Sequence, residues 1–193
     1  YIDTNIKGTL NILNAARENK IKKIIHISTS EVYGTAQSIP ITEEHPVVGQ
    51  SPYSASKIAA EQLCISYNKS FNLPVTILRP FNVFGPRQSA RAIIPTIISQ
   101  YAKNSDYLSL GLTSTTRDFN YVDDTINALT KCISAKNING EIINIGTGKE
   151  FSIRTIAKLI AEYFGKPLKI KLKENRIRPK NSEVTRLCSS TKK

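Results

Sequence analysis

Two hydrophobic periods alternate along the chain. Residues 3–20 place Ile6, Leu10, Leu13 and Ala16 three and four apart, the stripe of an amphipathic helix. Residues 24–28 then form a short apolar run of the kind buried in a parallel sheet. Ser51-Pro52 offers an N-cap followed by proline at the first helical position, which predicts a helix from 52 to about 71. Residues 75–79 form the next apolar run, and 80–87 a loop punctuated by Pro and Gly. Helices are predicted over 92–103 and 122–134, and a strand over 141–145. Ser152 caps a last helix to Gly165 with Ile153, Ile156, Ile160 and Phe164 on one face.

Strand and helix at this spacing predict an α/β fold, a parallel sheet covered by helices. Ligands in such sheets bind beyond the carboxyl ends of the strands. Three candidate ends follow: residues 28–30, the loop from Pro80, and the turn after Ile145. That last turn, NIGTGKE, holds Gly146 and Gly148 but has Phe151 where a dinucleotide fingerprint needs its third glycine. It reads as a strand-to-helix turn. Strands thin out after Arg87, so one portion is expected over 1–87 and another over 88–193, the latter returning segments to the first sheet.

Composition narrows the classes. A hydrophobic content of 40% with 22% charged residues fits a globular chain, and no apolar run approaches the roughly 20 residues of a membrane span. The net charge of +12 suggests an anionic partner, but the basic residues are scattered until the tail. The candidates are nucleic acid, an acidic membrane face or a phosphorylated small molecule, and no nucleic-acid signature accompanies the basic residues. Cys64, Cys132 and Cys188 are isolated and odd in number, so neither a disulfide framework nor a metal site is indicated, and a reducing cytoplasm is expected.

The chemistry concentrates at two places. Tyr53 and Lys57 lie four apart in the first turns of the 52–71 helix. An ammonium and a helix N-terminus both favour phenolate, so Tyr53 is expected to titrate below its usual range and to take a proton from a sugar or alcohol hydroxyl. Such a step needs a hydride acceptor at the same carbon, which a nicotinamide would provide, and Lys57 could also bind its ribose. The second place is the end of the 24–28 run, where Ser28, Thr29, Ser30 and Glu31 put three hydroxyls and a carboxylate in a row.

STSEVYG, SPYSASK, LRPFNVFGPRQ and RDFNYVDD, in this order, resemble the extended short-chain dehydrogenase/reductase family, within it the NAD-dependent nucleotide-sugar epimerases and dehydratases. NIKGTLNILNAA is similar to the helix that precedes their catalytic strand. The resemblance implies a partial Rossmann-like doubly wound sheet lacking its first strands, since no strand with a glycine-rich pyrophosphate turn opens the chain. It therefore looks like an N-terminally truncated member, with a smaller substrate-binding portion after Arg87.

The resemblance also implies roles. Thr29, Ser30, Glu31, Tyr53 and Lys57 would be catalytic; Ser28, Tyr53 and Lys57 would hold NAD; Asn82, Arg87, Arg117 and Arg178 would bind a nucleotide-sugar substrate, with Arg117 suited to pyrophosphate oxygens. Tyr33 and Gly34 would shape the loop, and Asn5 would be structural. Glu31 discriminates: simple 4-epimerases usually lack a carboxylate there, while 4,6-dehydratases use it to remove the carbon-5 proton after oxidation at carbon 4, before water leaves carbon 6 and the hydride returns. The dTDP-glucose dehydratases carry Asp where this chain has Ser30. The text around GQSPYSASKIAAEQL and RIRPKNSEVTRL looks most like N-acetylglucosamine-nucleotide 4,6-dehydratases of legionaminic-acid-type synthesis. UDP-glucuronate decarboxylase, a 4-epimerase and an inactive fragment stay open. The family pairs subunits through two helices each, so a homodimer is expected through 3–20 and 52–71, using Leu63, Ile65 and Tyr67.

Overall fold

The computed structural model describes residues 1–177 and 179–192. A π-turn over Ile2–Lys7 leads into helix α1 (Gly8–Glu18), so the first helix is not uniform. Strand β1 (Ile24–Ile27) ends in a 3-10 turn, Ser30–Tyr33. Helix α2 (Pro52–Phe71) starts as its caps dictate. Ser51 accepts from the Ser54 amide, the Ser54 hydroxyl answers the Ser51 amide, and Pro52 fills the first position. Asn72 closes it in the left-handed region at φ 53°. Strands β2 (Val75–Pro80) and β3 (Asn82–Phe84), helix α3 (Ile93–Ala102), strands β4 (Leu108–Leu110) and β5 (Thr116–Tyr121) and helix α4 (Val122–Ser134) follow. The chain continues through β6 (Ile142–Ile145), β7 (Glu150–Ser152), α5 (Ile153–Tyr163) and β8 (Ile170–Leu172).

β1, β2 and β6 form one sheet in that order, all parallel, with Ile24 opposite Val75 and Ile77 opposite Ile142. β2 is its buried centre, which its run Val75-Thr76-Ile77-Leu78 requires. A second sheet orders β3, β5 and β7, with β5 parallel to β3 and antiparallel to β7. β4 and β8 pair separately.

Three apolar clusters hold these layers. Leu13, Ala16, Cys64, Leu73, Val75 and Ile77 join α1 and α2 to the first sheet. Leu63, Ile65 and Tyr67 pack against this same cluster, and the Tyr67 hydroxyl donates to Asn14 Oδ1 at 2.5 Å. They are half-buried in this contact and so contribute to the chain's own core. Val32, Tyr33, Ile41, Phe81, Val184 and Leu187 form the second cluster beneath the turn. The third joins α3, α5, β4 and β8. A fully buried residue such as Leu13 contributes about 1.5–3 kcal/mol.

The glycine turn after β6 enters β7 before α5, so it joins strand to strand, not strand to helix. Its amides are already occupied. Asp118, fully buried in β5, accepts from the Thr147 amide (2.9 Å) and hydroxyl (2.6 Å), the Gly148 amide (3.0 Å) and the Ser189 amide (3.1 Å). Any side chain at position 146 would collide with Ser189 Cβ, 2.3 Å from where its own Cβ would stand.

Candidate functional site

The carboxyl end of β1 delivers the hydroxyl run. Ser28 is held by its amide to the Leu78 carbonyl at 2.7 Å, which prolongs the β1–β2 pairing by one residue. Thr29 then caps the turn, its hydroxyl accepting from the Glu31 amide at 3.2 Å. This cap aims Thr29 and Glu31 in fixed directions. Tyr53 approaches from the first turn of α2, and the Thr29 hydroxyl hydrogen-bonds its phenol. The charge of Glu31 acts on the same phenol. Thr29, Glu31 and Tyr53 thus meet, although 22 positions separate Glu31 from Tyr53 in the sequence.

The protonation of Tyr53 runs against the expectation. Its pKa is raised, first by burial, then by the charges of Glu31 and Tyr1; the Thr29 hydrogen bond opposes the rise because it favours phenolate. Lys57 does not reverse the balance. Its ammonium donates to the Ile27 carbonyl at 2.7 Å, so it is directed at the strand end and not at the phenol. Burial lowers the Lys57 pKa, and the charges of Glu61 and Cys64 partly offset that.

A cavity of about 620 Å³ opens beside this cluster, within the size range of small-molecule sites. Glu31, Asn82 and Arg117 line it. Asn82 opens β3, and its Oδ1 is buried with no hydrogen-bond partner among the described residues. Arg117, in β5, donates to the Thr116 carbonyl at 2.8 Å and stands 4.0 Å from Glu183. Arg87 is elsewhere: it is exposed, in the left-handed region at φ 65°, and does not line the cavity. Arg178 lies outside the described residues. Ser30 is 2% exposed inside the turn. Asn5 donates to Ser56 Oγ at 2.9 Å, which ties the π-turn to α2 in a structural role.

The sequence reading missed Gln88, Arg91, Arg176 and Glu183, which also line the cavity. Glu183 lies in RIRPKNSEVTRL, whose local pattern points to its arginines and not to the carboxylate. Arg91 and Arg176 had no local signal, being exposed loop and turn residues.

The donor set at the end of β1 fits a polyhydroxylated ligand such as a ribose. Ser28 Oγ is buried with no partner among the described residues, and the Lys57 ammonium keeps two donors beyond its bond to Ile27. Among the described residues, no group of three or more His, Cys, Asp or Glu side chains is placed to hold a metal ion. No described helix is long and apolar enough to cross a membrane.

Known proteins share this fold. The family described as GDP-mannose 4,6 dehydratase matches residues 1–192. A UDP-N-acetyl-alpha-D-glucosaminuronate decarboxylase of Bacillus cytotoxicus is 39% identical over 165 residues, covering 81% of this chain and 50% of that protein. The crystal structure of dTDP-glucose 4,6-dehydratase from Bacillus anthracis in complex with NAD superposes with a TM-score of 0.90 at 29% identity, covering 98% of this chain and 60% of that one. UDP-glucuronic acid 4-epimerase from Bacillus cereus, in complex with UDP-glucuronic acid and NAD, also gives 0.90, at 34% identity, covering 98% and 59%. The chain spans about half the length of the curated relatives it matches.

Proposed function

The chain belongs to the GDP-mannose 4,6-dehydratase family, and from that premise we propose that it serves an NAD-dependent nucleotide-sugar 4,6-dehydratase acting on an N-acetylglucosamine nucleotide. The observation that carries the reading is Glu31. It lines the substrate cavity together with Asn82 and Arg117, and acts on the phenol of Tyr53. A carboxylate in that place has no task in a simple epimerisation. Neighbours of the same fold hold NAD. Ser28 and Lys57 would hold the cofactor's nicotinamide ribose, and when bound it would supply the hydride acceptor and return donor at the sugar.

The chain's own residues divide the rest. Tyr53 takes the proton of the carbon-4 hydroxyl, with Thr29 sharing it. Burial favours the protonated phenol in the free chain, so Tyr53 must first give its own proton to solvent before it can take this one, a loss that the Thr29 hydrogen bond favours. Glu31 takes the proton at carbon 5. Ser30 is 2% exposed in the turn, and the proton taken by Glu31 is the one proposed to leave with the carbon-6 hydroxyl as water. Asn82 and Arg117 bind the diphosphate. The second reading is a uronate decarboxylase, favoured by the 39% identical relative and by the match of Ser30 and Glu31 to that class. We further propose a homodimer paired through α1, where Ile12 is 64% exposed.

The test uses UDP-N-acetylglucosamine and NAD in deuterated water. The expected product is a 4-keto-6-deoxy sugar carrying deuterium at carbon 5. Glu31→Gln should slow water loss by about 10²–10⁴-fold, the usual worth of general-base catalysis, while NAD reduction persists. Epimer without deuterium, or carbon dioxide from a uronic acid nucleotide, would move the assignment to those classes. No NAD binding and no product from any of these substrates would mark the chain as inactive.

A further inference from the structure

α2 carries one carboxylate, and the proposed reaction does not use it. Glu61 stands one turn beyond Lys57 and its side chain is 1% exposed. It receives two donors of Arg79 in β2, Nε at 3.0 Å and Nη2 at 2.6 Å, the parallel fork of a guanidinium–carboxylate pair. The remaining arm, Nη1, donates to the Tyr33 hydroxyl at 2.9 Å, which donates in turn to Asn144 Oδ1 in β6 at 2.7 Å. Tyr33 ends the same 3-10 turn that begins with Ser30 and Glu31. One buried polar chain therefore runs from the helix of Tyr53 and Lys57, through the central strand, to the turn of Thr29 and Glu31.

We propose that Glu61 is a positioning residue for Lys57, and that Arg79 and Tyr33 lock it to the Thr29–Glu31 turn, so that ammonium, hydroxyl and carboxylate keep one separation. The proposal rests on the reading of Tyr53 and Lys57 as the reacting pair. The ionisable groups coupled to Lys57 are His26 on β1 and Cys64 and Glu61 on α2, with Arg79 of β2 paired to Glu61. Burial pushes the His26 pKa down to about 4 and that of Cys64 up to about 12. The charge of Glu61 opposes the fall that burial imposes on Lys57. A carboxylate this deeply buried stays ionised only if paired, which is what the Arg79 fork provides.

The experiment separates positioning from mere stability. Replacing both partners (Glu61→Met with Arg79→Met) removes the buried charges together, a change that preserves folding where single removals do not. The Lys57 side chain is then titrated by NMR, with Lys57→Met identifying its signal. The expected result is near-native urea stability with a lower Lys57 midpoint, because the charge of Glu61 is what opposes the fall that burial imposes. An unchanged midpoint overturns the proposal. Tyr33→Phe, which removes only a hydroxyl, keeps the test decisive if the double variant does not fold. Amide exchange at Glu31, Val32 and Tyr33 should quicken at least about tenfold as the turn opens more often, and unchanged exchange overturns the locking role. Neither readout needs NAD, substrate or turnover, so an inactive protein would refute the proposed reaction and leave this inference standing.

Discussion

Asp118→Asn is the substitution whose cost the structure fixes most closely. The native carboxylate accepts four hydrogen bonds, two on each oxygen: the Thr147 amide and hydroxyl on Oδ1, the Gly148 and Ser189 amides on Oδ2. An asparagine has the same shape but must point its NH₂ at one of the two donor pairs. Facing Gly148 and Ser189, it would orphan two backbone amides. Facing Thr147, it orphans one, because the hydroxyl can rotate and accept. The better orientation thus loses one charge-assisted bond, leaves a buried donor unpaired and turns the other bonds into neutral ones. At about 1.5–3 kcal/mol for a bond to a charged group and about 1–3 kcal/mol for an orphaned donor, with some relief from no longer burying a charge, the loss is about 3–5 kcal/mol. Urea unfolding of the native and variant chains measures it. A loss under about 1 kcal/mol would show that the carboxylate is not what holds the glycine turn and the Ser189 segment to β5.

His26 sets a pH dependence. Burial first, and Lys57 second, push its pKa from 6.5 to about 4, so the unfolded chain binds the proton that the folded one refuses. Stability present above pH 6.5 should therefore fall as pH drops toward 4, by about 2–3 kcal/mol. His26→Leu should flatten that slope in urea titrations at pH 7 and 4.5, and an equal slope in both chains would remove His26 as its cause. Ile12→Glu should turn the dimer into monomers in sedimentation velocity; a native chain that is already monomeric would end the pairing proposal.

Much of the architecture was legible because local signals agreed with the tertiary answer. The limits of α2 follow from Ser51, Pro52 and Asn72 alone, and β1 and β2 from their apolar runs. β5 was not legible as a strand. Its run Thr116-Arg117-Asp118-Phe119-Asn120 looks too polar to be buried, and becomes so only through remote partners such as the Asn120 amide on the Ile145 carbonyl at 2.7 Å. The first helix was read as regular, since the spacing of Ile6 and Leu10 does not distinguish a π-turn from an α-turn. The cluster of Thr29, Glu31 and Tyr53 was legible from motif chemistry, but the direction of the Tyr53 shift was not. Spacing places an ammonium near a phenol; it does not report burial, nor that the ammonium has taken the Ile27 carbonyl. Arg91, Arg176 and Glu183 reach the cavity only because loops distant in sequence converge there.

The fork between Arg79 and Glu61 also restricts how this chain can vary. With side chains 3% and 1% exposed, losing one partner strands the other, at about 3–5 kcal/mol, a large share of a typical total of about 5–15 kcal/mol. Losing both costs far less. Positions 61 and 79 therefore behave as a single heritable unit: the path from the ionic pair to an apolar one passes through a chain that scarcely folds, and a second substitution rescues what the first destroys. Tyr33 sits outside that constraint, because losing its hydroxyl leaves the guanidinium still paired, so drift can enter the network there first.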